Sequence, residues 1–311
     1  MAEPDLRILS LGGGTQSAAL ALMSATGDLP RLDHVIFADT GGERPETYHY
    51  VDYLADVLAS AKIPLHTVTT GDLYADLFSE SPPVVPVNTV SPDGSDGKVG
   101  RYNCSYDYKR EPITRKVKEL VGDGKRGAWK QKSVEQWIGF SLDEIGRMKP
   151  DSECRCGHTV TAHVDGSCKR CPEHRAGHCF DAWRTNVFPL IDLRLVRSEV
   201  IAWFARNGHP TPLASSCWFC PHSDNERWRN LKQVHPALFD KAVELDEYLR
   251  VGAGPNRRKP MDATVYLHRS REPLATADLR SKAHRIADSG QGALFGEEVG
   301  TSECETGVCF T

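Results

Sequence analysis

Residues 9–23 read LSLGGGTQSAALALM: three glycines after a short apolar run, then Ser17 opening a run of small and apolar residues. A strand, a tight glycine turn and a helix start in that order make an anion site. The first turn of a helix leaves backbone N–H groups without intrahelical partners, and glycine lets a phosphate oxygen approach them. A Walker-type loop needs G-x-x-x-x-G-K-S/T, and no lysine follows these glycines. A dinucleotide loop needs G-x-G-x-x-G, and Ser17 stands where its last glycine would be. Two readings remain: a phosphate cradle of another kind, or a turn that only lets a helix pack on a sheet.

The ten cysteines are the second chemical signal. The N-terminus MAEPDLRILSLGGG lacks the basic flank and apolar stretch of a signal peptide, and no apolar run approaches the roughly 20 residues of a membrane span. The expectation is a cytoplasmic protein without membrane attachment. There, cysteines point to metal, cluster or redox chemistry rather than a disulfide framework. Residues 154–179, CRCGHTVTAHVDGSCKRCPEHRAGHC, combine five cysteines with four histidines in a stretch poor in apolar residues. Cys168-x-x-Cys171 is a metal knuckle, and Cys156 with His163 supplies the other half of a tetrahedral zinc site that folds such a stretch. Cys154, His158, His174, His178 and Cys179 compete for the same role. Lys169, Arg170 and Arg175 allow a finger that touches nucleic acid.

A second group is Cys104 with the pair Cys217 and Cys220 in SSCWFCP, a C-x-x-C suited to zinc, a redox pair or an iron–sulfur cluster. The third is the tail SECETGVCFT, with Cys304 and Cys309.

The elements that must position these groups follow from periodicity. LRILSL, LDHVIFADT, IPLHTVTT and SVEQWIGFS read as strands. SAALALMSA, ETYHYVDYLADVLASA, a segment starting near Pro112, SEVIAWFARNG, NERWRNLKQV and PALFDKAVELDEYLR read as helices. Strand and helix alternating through short links predict right-handed crossovers and a parallel sheet. The Pro-, Gly- and Ser-rich stretch 79–105 reads as a long functional loop. The 311 residues suffice for one large α/β domain with additions, or two domains, and a net charge of −4 gives no global pull toward nucleic acid.

Three stretches carry a family resemblance. GGGTQS resembles the pyrophosphate loop S-G-G-x-D-S of the ATP pyrophosphatase (PP-loop) superfamily. FADTGGERPET, residues 37–47, resembles the D-T-G-x-x-x-P-E-T stretch of the phosphoadenosine phosphosulfate (PAPS) reductase family. WIGFSLDEIGRMK, residues 137–149, resembles that family's later strand and acid–arginine segment. They occur in the family's order, so the first half of the chain resembles the PAPS-reductase-like branch, which includes the DNA phosphorothioation sulfur-transfer protein. The implied fold is α/β: a Rossmann-like parallel sheet of the HUP, or adenine nucleotide alpha hydrolase-like, kind, flanked by helices. The expected organisation is a nucleotide-binding core over 1–150, a Cys/His zinc insertion over 151–181, a helical part over 182–285 and a cysteine-bearing tail over 286–311.

The resemblance places ATP on Gly12, Gly13, Gly14, Thr15, Gln16 and Ser17, with Asp39, Thr40 and Gly41 at the nucleotide or its magnesium. It gives catalytic roles to Ser17, Asp39 and Arg147, with Asp143 and Glu144 as further candidates beside Arg147. Independently of the resemblance, the cations Lys109 and Arg110 in CSYDYKREP are candidates for phosphate or an anionic substrate, with Lys109 expected to act in catalysis. Pro45 and Glu46 complete the second match and also make a helix start. Gly12 replaces the family's first serine and Gln16 its aspartate, so the loop brings no carboxylate to Mg2+. Cys104, Cys217 and Cys220 match the cysteine set with which PP-loop tRNA thiolation enzymes hold a 4Fe–4S cluster. Glu303–Cys304 echoes half of the reductases' C-terminal E-C-G-x-H/L.

The first functional expectation is ATP-dependent adenylation, giving AMP and pyrophosphate, for sulfur insertion into a nucleic acid or small molecule. A sulfur donor such as a cysteine desulfurase would be the partner. The alternatives are a PAPS or adenylylsulfate reductase, and a non-catalytic zinc-containing protein that binds nucleotide or nucleic acid.

Overall fold

The computed structural model describes residues 3–100, 102–122, 125, 127–147, 183–251 and 262–280, and the backbone of 163–164 and 167–168. The first strand, β1 (Leu6–Leu11), is an apolar run that ends at the glycine turn. Helix α1 (Thr15–Thr26) follows; Thr15 through Ser24 are all buried, which is why its small residues show no polar stripe. β2 (His34–Asp39) leads to α2 (Pro45–Ser60), which starts with proline at its first position and buries Tyr50, Leu54 and Leu58 at i, i+4 spacing. β3 (Leu65–Thr69) and the short α3 (Leu73–Asp76), capped by the Asp72 side chain, follow.

The long loop is partly ordered into β4 (Asn88–Val90) and β5 (Asp96–Lys98). A π-helical turn over Tyr106–Arg110 runs into α4 (Glu111–Val121), whose Ile113, Val117 and Val121 form one apolar face. Then come β6 (Val134–Trp137) and a 3-10 turn over Leu142–Arg147. The hairpin β7 (His163–Val164) and β8 (Ser167–Cys168) pairs His163 with Cys168 along the backbone. β9 (Arg184–Val187), α5 (Pro189–Asp192), α6 (Arg197–Arg206), α7 (Asn225–Val234), α8 (Pro236–Arg250) and β10 (Thr264–Tyr266) complete the described chain.

The main sheet has the order β3-β2-β1-β6-β9, with every neighbouring pair parallel. The expected α/β architecture holds: a parallel sheet with helices on both faces. One face packs on α1, α2, α5 and α6 through Leu9, Leu22, Leu54, Leu190 and Phe204. The other packs on α4 through Ile8, Ile36, Ile113 and Val117.

Two features depart from the sequence expectation. The fifth strand and α6 come from beyond residue 150, where the core was expected to end. RTNV is too short and polar to read as a strand by itself; pairing with β6 makes it one. The stretch 79–105, read as loop, contributes β4 and β5 to a three-stranded antiparallel sheet, β10-β4-β5. Its third member lies far along the sequence, so no local pattern announces it. This sheet, α3, α7 and α8 share a second core that includes Val87, Trp218, Phe219, Trp228 and Leu245. Among the described residues no helix is long and apolar enough to cross a membrane.

At the outer side of the main sheet, His66 Nε2 lies 3.0 Å from His34 Nδ1 across β3 and β2. Burial holds both imidazoles below the usual 6.5; His34 adds to the effect at His66, and Lys116 lowers both. The unfolded chain therefore takes up protons first as pH falls through about 6.5, and the folded state loses stability over that window. The expected outcome is a thermal-unfolding midpoint that drops between about pH 7 and about pH 5, with a shallower drop in His34→Gln/His66→Gln. Equal slopes in the two proteins would remove the pair from the account.

Candidate nucleotide site at the carboxyl edge of the sheet

The chain winds outward from β1 through β2 and β3, and in the opposite direction from β6 to β9. The loops leaving β1 and β6 therefore diverge, and the crevice between them is where parallel α/β sheets take ligands. The glycine turn sits there. Gly13 has φ +76°, and a Cβ on it would stand 2.8 Å from Thr47 Cγ2, so the turn needs glycine at this position. Gly14 caps α1 without a side chain, and the first helical bond runs from Ala18 N to Gly14 O at 3.0 Å. The N–H groups of Thr15, Gln16 and Ser17 lie ahead of that ladder, as an anion site requires. Ser17 Oγ accepts from Gly12 N at 3.1 Å and donates to Gly14 O at 3.2 Å, closing the turn on itself. Across the crevice, a Cβ on Gly139 would stand 2.6 Å from Ser17 N, so the loop after β6 touches the start of α1.

Asp39 ends β2. Its Oδ1 accepts from the Tyr48 hydroxyl at 2.7 Å and from Gly41 N at 2.8 Å. Burial and the Asp39 carboxylate push the Tyr48 phenol up, so it remains a donor. These two bonds orient the carboxylate and leave Oδ2 for a ligand. Thr40 Oγ1 accepts from Gly42 N at 3.2 Å and lies 3.4 Å from Cys217 Sγ. Pro45 and Glu46 serve α2: proline opens the helix, and Glu46 Oε1 lies 2.7 Å from His235 Nε2.

The two cations expected at phosphate are each held by a carboxylate. Lys109, from the π-helical turn, donates to Glu43 Oε1 at 3.0 Å, and the Glu43 side chain has 0% exposure. Ser215 Oγ donates to the other Glu43 oxygen at 2.9 Å, and Ser215 N would lie 3.4 Å from a Cβ on Gly14. The triad thus stands against the glycine turn. Arg147 pairs with Glu144 Oε1 and lies over the Phe140 ring at 4.3 Å, while Gln16 Nε2 donates to Glu144 Oε2 at 2.8 Å. Asp143 accepts from Arg197 N at 3.1 Å and so ties the turn to α6. Arg110 lies over the Tyr106 ring.

The thiols flank this arrangement. Glu43 and Cys217 form a backbone bridge, and Trp218 N donates to Gly42 O at 2.8 Å. Burial, then the Glu43 carboxylate, pushes the Cys217 thiol up to about 12. Cys104 and Cys217 pack against the second core, and Cys220 N closes a turn onto Cys217 O at 3.0 Å. Three thiols share one region, yet among the described residues no three His, Cys, Asp or Glu side chains converge as a metal-holding group. Cys154, Cys156, His158, Cys171, His174, His178, Cys179, Cys304 and Cys309, the side chains of His163 and Cys168, and Lys169, Arg170 and Arg175 lie outside the described residues. A cavity of about 470 Å³ opens beyond the end of β3, lined by Thr70, Asp76, Glu80, Asn103, Asp107 and Tyr108 among others.

Sequence reasoning missed Tyr48, Glu43 and Ser215. Glu43 sits inside the motif GGERPET, but nothing local pairs it with residues 109 and 215.

No known protein-family profile matches the chain. A stretch of 53 residues is 42% identical to a protein of Escherichia phage 186 described as an "Uncharacterized 37.8 kDa protein in gpa 5'region"; it spans 17% of this chain and 15% of that protein. Among solved structures the chain is similar to a PAPS reductase from Candida auris in its phosphate complex, at 18% identity and a TM-score of 0.36, over 68% of this chain and 76% of the reductase. It is also similar to a U34-tRNA thiolase, NcsA, from Methanococcus maripaludis with its 4Fe–4S cluster, at 16% identity and a TM-score of 0.36, over 80% of this chain and 73% of the thiolase. Both likenesses are loose.

Removing one member of a buried ion pair strands the other. Lys109→Met is expected to cost about 3 kcal/mol in urea unfolding, and Lys109→Met/Glu43→Gln to recover most of it. A single-variant loss below about 1 kcal/mol would mean that the pair anchors nothing.

Proposed function

We propose that the chain is a nucleotide-dependent enzyme of the PP-loop kind that adenylates an acceptor for sulfur transfer. The observation that carries this reading is the glycine turn at the switch point of a parallel sheet, one strand from the carboxylate of Asp39. The β- and γ-phosphates of ATP would lie on the N–H groups of Thr15, Gln16 and Ser17. An acceptor oxygen attacks the α-phosphorus, the bond to the bridging oxygen breaks, and pyrophosphate leaves with the developing charge. Lys109 and Arg147 supply cations at that place, and pre-set backbone donors need no reorganisation. The terminal sulfur of a persulfide carrier then attacks the activated carbon, its C–O bond breaks, and AMP departs. A second thiol attacks the carrier-side sulfur, the S–S bond breaks, and the thiolated product leaves while the two thiols end as a disulfide.

Position 16 brings no carboxylate to a metal ion, and its amide nitrogen is held by Glu144. Asp39, through Oδ2, is the carboxylate suited to magnesium bound with the phosphates, since magnesium takes one or two carboxylates plus substrate oxygens. Bound there, magnesium would supply charge neutralisation. Cys217, in contact with Thr40, puts a sulfur-bearing side chain one residue from Asp39. The described thiols do not form a closed ligand set, so no step depends on a cluster. A nucleic acid or small molecule is the acceptor class, with a persulfide carrier such as a cysteine desulfurase as donor.

Gln16 favours a second reading. A loop without its carboxylate suits a PAPS or adenylylsulfate reductase, where the turn takes the substrate's phosphate or sulfate.

Pyrophosphate release from ATP tests the first reading. Ser17→Ala and Asp39→Ala are each expected to lower it by at least about tenfold. Release that survives both substitutions places the chemistry elsewhere. Thioredoxin-dependent sulfite release from PAPS, with no pyrophosphate from ATP, establishes the reductase instead.

A further inference from the structure

The mouth of the crevice holds one chain of polar contacts that spans the switch point. Gln16, on the first turn of α1, is 8% exposed. Its Nε2 donates to Glu144 Oε2 at 2.8 Å and lies 3.4 Å from Ser141 Oγ. Ser141 Oγ lies 3.4 Å from the same Glu144 oxygen. The other oxygen takes Arg147, whose guanidinium stacks over Phe140. The Glu144 and Arg147 side chains keep only 20% and 22% exposure.

This arrangement gives Gln16 a reason. The loop it resembles carries an aspartate here. In this chain an aspartate at position 16, one bond shorter than the glutamine that reaches Glu144, would still place a second carboxylate beside it, and two carboxylates that near each other cannot both stay ionised without cost. An amide donates to one Glu144 oxygen instead, and the other oxygen holds Arg147.

We propose that Gln16 is a positioning residue: through Glu144 it sets the Arg147 guanidinium at the mouth of the glycine turn, where the cation meets a bound phosphate. Where the resembled loop presents a carboxylate, this one presents a carboxylate–arginine pair delivered from the far side of the crevice. The assignment rests on the nucleotide reading given above and goes beyond it, because it names what replaces the loop acid.

The test is a cycle of wild type, Gln16→Asp, Glu144→Gln and Gln16→Asp/Glu144→Gln. ATP dissociation constants are measured by calorimetry in EDTA, each expressed relative to wild type at the same pH. Gln16→Asp is expected to bind ATP about tenfold more weakly at about pH 8 and within about threefold of wild type at about pH 5.5, where one carboxylate takes a proton. Gln16→Asp/Glu144→Gln removes the pH dependence and binds more tightly than Gln16→Asp at about pH 8. A purely structural role for Gln16 would not produce a titration that Glu144→Gln abolishes. A Gln16→Asp protein with no pH dependence, or a double variant no better than Gln16→Asp, overturns the assignment while leaving ATP binding intact. A wild type that binds no ATP overturns the nucleotide reading itself, and the phosphate role of Arg147 with it. The two failures are therefore distinct. Unfolding midpoints of the four proteins, taken without ligand, show whether each variant is folded.

Discussion

The site is built around a carboxylate with no contact to water. Burying Glu43 costs several kcal/mol unless both oxygens are satisfied, and here Lys109 and Ser215 satisfy them. Those three residues come from the turn after β2, the π-helical turn before α4 and the segment before the C-x-x-C. One ion pair therefore fastens three distant parts of the chain together beside the glycine turn. The Cys217 backbone bridges to Glu43 as well, so the thiol region hangs on the same point. A charge pair in so little solvent is specific in geometry, because any displacement strands a charge.

The same economy governs the cations at the crevice. Lys109 and Arg147 each rest on a carboxylate, so the unliganded site is close to neutral. Both cations are thus held by short contacts before any ligand arrives. Around them the backbone leaves little slack. Gly139 against Ser17 N, and Gly13 against Thr47, exclude even a methyl group. The turn is held by contact on both sides, which suits a site that must present N–H groups at fixed spacing.

Much of this was legible in the residues. The apolar runs LRILSL and HVIFAD read as strands because both sheet faces bury them, and the i, i+4 spacing of Tyr50, Leu54 and Leu58 read as a helix. The three glycines marked the turn between β1 and α1, though the helix opens at Thr15 and not at Ser17. Arg184–Val187 was not legible, since four largely polar residues become a strand only beside β6. The β4–β5 hairpin was not legible either, because its stabilising partner is Thr264–Tyr266 and strand pairing that distant leaves no local trace. Lys109 and Arg147 were visible as cations, and Glu144 as an acid three residues before Arg147, but the hold of Glu43 on Lys109 was not, since 66 residues separate them.

What the sequence determined by itself was local: hydrophobic period, turn chemistry, and the presence of Asp39, Ser17 and three thiols in an order that suits nucleotide and sulfur chemistry. Those properties depend on near neighbours along the chain, so they survive without a fold. What the tertiary structure decided was pairing: Glu43 with Lys109 and Ser215, Gln16 with Glu144, Tyr48 with Asp39, Thr40 with Cys217. Four of these contacts join residues 66 to 177 positions apart. Such contacts are set by how helices cross a twisted sheet, and only burial shows which polar groups must find each other.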